Sequence, residues 1–382
     1  MEASGLIKMM VVDDEPHALR WAEEVIGGIA ECQICGLYTS ADDCFAQIVH
    51  DQPHLILLDI EMPGMQGLKA AQLLHALYPE LAVVFSTAYG EYAAQAFEVN
   101  AVDYLLKPLT EPRVRQMIER YCRSRPRAME RNGNYTPRYF GPFRLKAAAT
   151  GKSVEFRTAK ARELAAFLLL KPGEPVSRDQ ILETIWPEWE ADRAQSNLHT
   201  TVYQLRKDLT LAGITDDGNA VRSTAGLYSF QEPSHDGDLQ LFERAYSLFS
   251  QGDDAIFHAS QALALYRDGF MSGCSSDWVL QKRGQLEQNF LEMLTAVIDD
   301  EVRHQKYSRA LTLLYRYIDC NPYAEQAHGQ MIGLQWLLHG SQAAASYRRQ
   351  MVEQFRTDLG VEPRIDMDKL AGNPLCYFGM SQ

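Results

Sequence analysis

Long apolar runs are missing from this 382-residue sequence. None reaches the roughly 18 residues that a membrane-spanning helix needs, so no membrane partner is expected. The amino end, Met1 to Lys8, carries Glu2 and lacks the basic-then-apolar layout of a signal peptide. A cytoplasmic protein is therefore expected. Cysteine is sparse as well: seven residues, odd in number and scattered, do not make a disulfide framework. Cys32 and Cys35 form a Cys-x-x-Cys pair inside a strand-like stretch. A spacing of three on a strand sends the two thiols to opposite faces, which favours small buried or edge residues over a metal or redox pair. Positive charge is also short, with 37 Lys+Arg against 50 Asp+Glu and a net charge of −13. That argues against a nucleic-acid-binding surface over the whole molecule. The deficit is uneven. Residues 1–127 carry 10 basic against 18 acidic residues, 138–231 carry 13 against 11, and 232–382 carry 13 against 20. Only the middle is not acidic, so any DNA contact belongs there.

What is present describes a folded, multidomain chain. Hydrophobic content of 46% and charged content of 23% are those of a globular protein. The length exceeds one ordinary core, so two or three domains are expected. The spacing predicts domains at 1–123, 138–231 and 234–370, with a linker at 124–137 and a tail at 371–382. The linker holds Pro126 and Gly133 with few apolar residues. The tail reads as disordered.

In the first domain, strand candidates at 7–12, 33–38, 55–58, 82–86 and 101–105 alternate with amphipathic helices such as 17–26 and 68–77. That alternation predicts a doubly wound α/β domain with a parallel sheet. The run Leu55-Ile-Leu-Leu, with no polar alternation, suits a strand buried on both faces. It ends in Asp59, at the sheet rim where open α/β folds place their ligand crevice. Asp13 and Asp14 follow the first strand, Thr87 the fourth, and Lys107-Pro108 the fifth. Three carboxylates close together repel unless a divalent cation neutralises them, and oxygen ligands in an open site favour Mg²⁺. A cation, a lysine and a hydroxyl beside an Asp are what phosphoryl transfer onto that Asp requires. Pro108 pushes Lys107 away from helix and permits a cis bond.

Val12-Asp13-Asp14-Glu15, Asp59-Ile-Glu-Met-Pro-Gly64, Ser86-Thr87-Ala88 and Asp103-Tyr104-Leu-Leu-Lys107-Pro108 together resemble the signature set of bacterial response-regulator receiver domains. The resemblance implies that Asp59 accepts a phosphoryl group from a sensor histidine kinase. It implies Mg²⁺ held by Asp14, Asp59 and the Glu61 carbonyl, with Asp13 assisting through water. Thr87 would bind the phosphoryl group and draw the switch residue Tyr104 inward. The fourth helix, fifth strand and fifth helix, 91–121, would form a homodimer face. Asp59-x-Glu61 is also similar to aspartyl-phosphate phosphohydrolases. Those enzymes place the nucleophile after the first strand and a second Asp two residues on, whereas here the acidic pair follows the first strand and residue 61 is Glu.

The middle domain reads as α+β. Strand candidates at 139–145 and 153–156 precede a helix at 159–170. A second helix opens at Ser177, with Gln180 three residues on as in a capping box. A third runs over 191–209. Leu198, Val202, Leu205 and Leu209 share one face, and Arg193, Ser196, Asn197, Thr200, Tyr203, Gln204 and Lys207 the other, with no acid among them. Such a face suits a recognition helix in the major groove of double-stranded DNA. Two strand-like pieces about Gly226 make a wing, with Arg222 placed to reach a phosphate or the minor groove. Arg206 sits at the flank and can serve as an ion-pair partner. Thr201-Val-Tyr-Gln-Leu-Arg-Lys-Asp-Leu209 and Gly226-Leu-Tyr-Ser-Phe230 resemble the OmpR-like winged-helix domains, although Thr201, Tyr203 and Gln204 stand where that family carries more arginine.

After a break at 233–237 the pattern is all-α, with helices expected at 239–249, 256–266, 278–305, 307–319, 324–339 and 341–359. Tyr307-Ser-Arg-Ala-Leu and Ser341-Gln-Ala-Ala-Ala repeat at 34 positions, the period of tetratricopeptide helix pairs. Tyr315, Tyr323 and Tyr347 are expected to fill interhelical contacts. Asn321-Pro322-Tyr-Ala-Glu-Gln-Ala-His328 and Asp358-Leu-Gly-Val-Glu-Pro363 resemble the bacterial transcriptional activation domain. A winged helix followed by that domain resembles the SARP family of activators, and a receiver in front makes it a SARP-type response regulator. The resemblance implies a DNA-binding regulator and no enzyme, whose helical domain would contact RNA polymerase, another regulator or a second copy of itself, or bind a small ligand in its concave face. The competing reading is a phosphorylation-independent regulator or scaffold controlled by a ligand or partner at the helical domain.

Overall fold

Leu55–Asp59 forms β3, and every one of its residues is buried. It lies at the centre of a five-stranded sheet, as its unbroken apolar pattern requires. The structure, a computed structural model, describes residues 6–88, 99, 101–124, 135–147, 151–215, 220–233 and 236–378. The other strands are β1 (Ile7–Val12), β2 (Cys32–Tyr38), β4 (Ala82–Thr87) and β5 (Asp103–Leu106). The order is β2-β1-β3-β4-β5 and the pairs are parallel. Reversal of strand order between β1 and β3 opens a crevice at their carboxyl ends. Helices α1 (Pro16–Gly27), α2 (Ala41–Asp51), α3 (Gly67–Leu77) and α4 (Glu111–Ser124) connect and follow the strands. Met9, Val11, Leu55, Leu57, Val84 and Leu105 from the sheet pack with Leu19, Ala22 and Ile26 of α1 and Val114, Met117 and Tyr121 of α4. The fourth helix expected from 91 onward lies outside the described residues, as does most of the linker.

The β1–β2 register shifts between Met9 and Met10, so that Ile34 and Gly36 are their partners and Cys35 is the extra residue. Cys35 donates to the Met9 carbonyl at 3.4 Å, and Cys32 packs against the core. Burial pushes both thiols up to about 11, which suits packing and opposes metal or redox chemistry.

The winged-helix region begins earlier than expected. Tyr135–Arg138 is β6 and Arg144–Ala147 is β7, paired antiparallel about Gly141. The expected linker therefore ends before Tyr135, and the expected strand at 139–145 is a turn followed by β7. Gly141-Pro142 breaks the ladder there. Of 153–156 only Ser153 pairs, by one bridge to Lys146. Helices α5 (Ala159–Leu168), α6 (Arg178–Ile185) and α7 (Ala191–Leu211) follow. Ser177 caps α6 by accepting from the Gln180 N–H at 3.2 Å. Strands β8 (Val176–Ser177), β9 (Val221–Thr224) and β10 (Leu227–Phe230) form a sheet in the order β8-β10-β9. The wing turns at Ala225 and Gly226, both at positive φ.

By Cα packing the chain divides into two units. One is Met1–Arg244 with Met271–Cys274, and the other is Ala245–Phe270 with Ser275–Gln382. Helices α8 (Asp238–Gln251), α9 (Ala255–Leu265), α10 (Asp277–Arg303), α11 (Tyr307–Cys320), α12 (Glu325–His339) and α13 (Ser341–Leu359) match the expected series. Tyr347 packs in the α12–α13 core, and its hydroxyl lies 2.8 Å from His328 Nδ1. Tyr323 meets Phe355 edge-on. Tyr315, 46% exposed, makes its interhelical contact at the surface, where its hydroxyl on α11 accepts from Gln335 of α12 at 3.1 Å. The described tail is ordered structure. Met367–Gly372 is a short helix, α14, and Phe378 is buried. Gly329 and Gly333, one turn apart on α12, leave the space: a Cβ there would lie 2.7 Å from the Tyr377 ring and 1.9 Å from the Pro374 carbonyl oxygen.

Candidate functional site

Three carboxylates meet at the crevice between β1 and β3. Asp13, Asp14 and Asp59 each offer an oxygen, and these oxygens all lie within 4.8 Å of one another. Asp13 and Asp59 are buried, and Asp14 is half-buried. The two buried acids are anchored by backbone donors. The Glu15 N–H donates to Asp13 Oδ1 at 3.1 Å, and the Ile60 N–H donates to Asp59 Oδ1 at 2.7 Å. Lys107, delivered by β5 through a cis peptide to Pro108, places its Nζ 2.7 Å from Asp13 Oδ2 and 2.9 Å from Asp59 Oδ2. Four charged groups thus leave the crevice two negative charges in excess.

Electrostatics record the strain. Burial pushes the Asp13 carboxyl above its ordinary value. Hydrogen bonds from Lys107 and Glu15 pull it back only in part, and the Asp59 charge adds to the push. Burial pulls Lys107 down, but its bonds to Asp13 and Asp59 outweigh that and leave it above its ordinary value. A crowded, oxygen-only donor set with excess negative charge fits Mg²⁺ in kind. Gly67, the first residue of α3, passes so close that a Cβ would lie 2.0 Å from the Asp59 carbonyl oxygen. Only glycine lets α3 start where it supports the turn after Asp59.

Thr87 ends β4 and is buried, and Tyr104 on β5 is half-buried, cross-paired with Phe85. Asp103 beside it is buried and paired with Arg113 at 3.1 Å and Arg120 at 2.8 Å, both from α4. Leu106, the last residue of β5, is 54% exposed.

On α7, Leu198, Val202, Leu205 and Leu209 are buried as the period predicts. Arg193, Ser196, Thr200, Tyr203 and Lys207 are exposed, and Asn197 and Gln204 are half-buried. Tyr203 is 67% exposed. His199 shares the exposed face and was not among the expected contacts. Three of the expected contact residues are already engaged within the protein, among them Thr200, whose hydroxyl donates to the Ser196 carbonyl at 3.0 Å. Gln204 donates to the buried Asp208 at 2.8 Å, and the Arg193 guanidinium lies 4.3 Å from the centre of the Trp189 ring. Among the described residues Arg206 forms no ion pair, unlike the expectation. It donates through Nε and Nη2 to the Val221 carbonyl, at 2.9 and 2.8 Å, and to Ser223 at 3.0 Å. That ties the helix to the wing, where Arg222 is exposed. Nothing in the local pattern signals Arg206's bond, because its partner is a backbone carbonyl 15 residues away.

Three family models match the chain: the response regulator receiver domain over residues 9–119, the C-terminal domain of transcriptional regulatory proteins over 151–226, and the bacterial transcriptional activator domain over 238–373. The chain is 34% identical over 125 residues to the sensory transduction protein LytT of Bacillus cereus, covering 33% of this chain and 51% of that protein. It is 36% identical over 123 residues to the transcriptional regulatory protein BtsR of Salmonella typhi, covering 31% of this chain and 50% of that one. The chain spans about half the length of the curated relatives it matches. Among solved structures it is similar to Mycobacterium tuberculosis EmbR in complex with a low affinity phosphopeptide, at 22% identity and a TM-score of 0.49, covering 65% of this chain and 67% of that one.

Proposed function

We propose, for a chain that belongs to the response regulators and joins receiver, winged-helix and bacterial transcriptional activator domains in the SARP-type arrangement, a DNA-binding transcriptional regulator switched by phosphorylation of Asp59. The observation that carries this is the crevice of Asp13, Asp14 and Asp59 bridged by Lys107. An oxygen of Asp59 attacks the phosphorus of a phosphohistidine on a sensor histidine kinase. The O–P bond forms as the N–P bond breaks, and the imidazole leaves with the electron pair. The Ile60 N–H and Lys107 orient the two Asp59 oxygens for that approach. Asp13, Asp14, Asp59 and the Glu61 carbonyl would hold Mg²⁺, which supplies charge neutralisation for the phosphoryl oxygens.

The new phosphoryl group adds negative charge to an acidic pocket. The Thr87 hydroxyl takes one of its oxygens, and Tyr104 turns inward behind Thr87. The β5–α4 surface, where Leu106 is exposed, then pairs with a second receiver. Two linked winged helices bind repeated half-sites more tightly than one, through effective concentration. Ser196, Thr200, Tyr203 and Lys207 face the major groove with Arg193, Asn197 and Gln204 at the margin, and Arg222 reaches a phosphate or the minor groove. The helical domain contacts RNA polymerase, and the protein works in the cytoplasm.

Intact-protein mass after incubation with Mg²⁺ and a small phosphodonor tests the core of this reading. Wild type is expected to gain one phosphoryl group and Asp59→Asn none. Folded wild type without an adduct would leave control by a ligand or partner at the helical domain.

A further inference from the structure

The pole of the receiver opposite Asp59 carries a second set of contacts that this function does not use. Parallel strands place the ends of α2 and α3 at the amino ends of β3 and β4, the far side of the sheet from the crevice. Helix ends expose carbonyls that have no partner within the helix, with partial negative charge. Here arginines from outside the receiver satisfy them. Arg138, the last residue of β6, donates through Nη2 to the Val49 carbonyl near the end of α2, at 3.0 Å. Arg244 of α8 donates through Nη1 to the carbonyl of Leu77, the last residue of α3, at 2.6 Å. The other nitrogen of Arg244 is held by Asp236 at 2.7 Å, and the Arg244 side chain is only 29% exposed. Gln52, in the left-handed region at φ 48°, closes α2 with its backbone and donates through its side chain to the buried Thr136 of β6 at 3.3 Å. The half-buried Tyr78, next after Leu77, lies in the field of both arginines.

These contacts are of a strong kind. Each arginine bond has a charged donor, which is about twice as strong as a neutral pair. Both meet the negative end of a helix. They come from separate elements, β6 and α8, and reach separate receiver helices. Asp238 secures these two elements to each other: its carboxylate accepts from the Tyr139 N–H at 2.7 Å and the Phe140 N–H at 3.2 Å, just after β6. The charge balance agrees, with an acidic receiver meeting basic side chains.

We propose that this is an interdomain clamp. Arg138 and Arg244 lock the winged-helix region onto the receiver at the pole away from Asp59, so that the two travel as one body. Resting on the phosphorylation reading, the further consequence is that the switch changes how two such bodies assemble and does not release the winged helix. Thr87 and Tyr104 lie at the crevice end and at the β5 side, away from the carboxyl ends of α2 and α3 that the arginines hold.

Hydrogen exchange on the full chain tests both parts. In wild type, amides of 50–54, 77–82 and 135–138 should be protected, with or without Mg²⁺ and beryllofluoride. The Arg138→Ala/Arg244→Ala variant should exchange at least tenfold faster on both sides of the contact, with β3 unchanged. Should that variant not fold, Arg244→Ala alone should show the same rise at 77–82. Unchanged exchange in a folded variant overturns the clamp. Protection lost in wild type on adding beryllofluoride overturns the one-body switch. Beryllofluoride without effect around Asp59 counts against the phosphorylation reading, while the variant arm still decides the clamp.

Discussion

Lys107→Met removes the only ammonium bonded to the crevice acids among the described residues. Its Nζ lies within 3 Å of both Asp13 and Asp59, whose side chains are 5% and 7% exposed, while Lys107 itself is 20% exposed. Truncating one member of a buried ion pair costs about 3–5 kcal/mol, because the remaining charge is left uncompensated. Two carboxylates are left here, but burial of Lys107 is relieved, so the lower end, about 3 kcal/mol, is expected. For a receiver-sized domain that corresponds to a loss of about 10 °C in Tm. The crevice then carries three negative charges instead of two, and a divalent cation should gain most where the lysine is gone. Binding at one hundred times Kd adds about 2.7 kcal/mol to a folded state. Thermal unfolding in EDTA and across an Mg²⁺ titration is the assay. The variant should be the less stable in EDTA and should show the larger rise with Mg²⁺. A loss below about 1 kcal/mol, or an Mg²⁺-dependent rise smaller than in wild type, would refute the account of the crevice as an electrostatically frustrated cation site.

Asp238 should make stability pH-dependent. Burial pushes its carboxyl up to about 6, against the pull of three backbone N–H groups and Arg138. Between its ordinary value and 6 the folded chain holds the proton more tightly, so this group's contribution is full below the ordinary value and is lost as pH rises through 6. Wild type should therefore lose up to about 3 kcal/mol relative to Asp238→Asn between pH 4 and 7, measured by urea unfolding at each pH; a constant difference would sink the assignment. On DNA, Arg222→Ala in the full chain should weaken binding and lower the slope of log affinity against log salt by about 1, read by fluorescence anisotropy. An unchanged slope would place Arg222 away from phosphate.

The sequence by itself determined the strands, because a strand buried on both faces must be apolar throughout, as Leu55–Leu58 is. It also determined the chemistry of the crevice, because Asp13, Asp59, Thr87 and Lys107 each directly follow or end a strand of a parallel sheet, and parallel strands bring those ends to one rim. Helix positions on α7 followed from the 3.6-residue period. Element edges were less legible: Tyr135 and Thr136 look like linker because β6 needs β7 to pair with, and Cys35 becomes a bulge only against Met9 and Met10. Tertiary structure alone decided the rest. The described part of the tail, up to Phe378, packs as it does because Gly329 and Gly333 leave room for Tyr377 and Pro374. Gln204 and Arg206 have the same local pattern as their neighbours, yet turn to Asp208 and to the Val221 carbonyl. Arg138 and Arg244 look like surface charges until two helix ends from another domain stand before them. Side-chain periodicity reports which face is wet or dry, and a backbone carbonyl has no residue type, so bonds to carbonyls leave no trace in the order of amino acids.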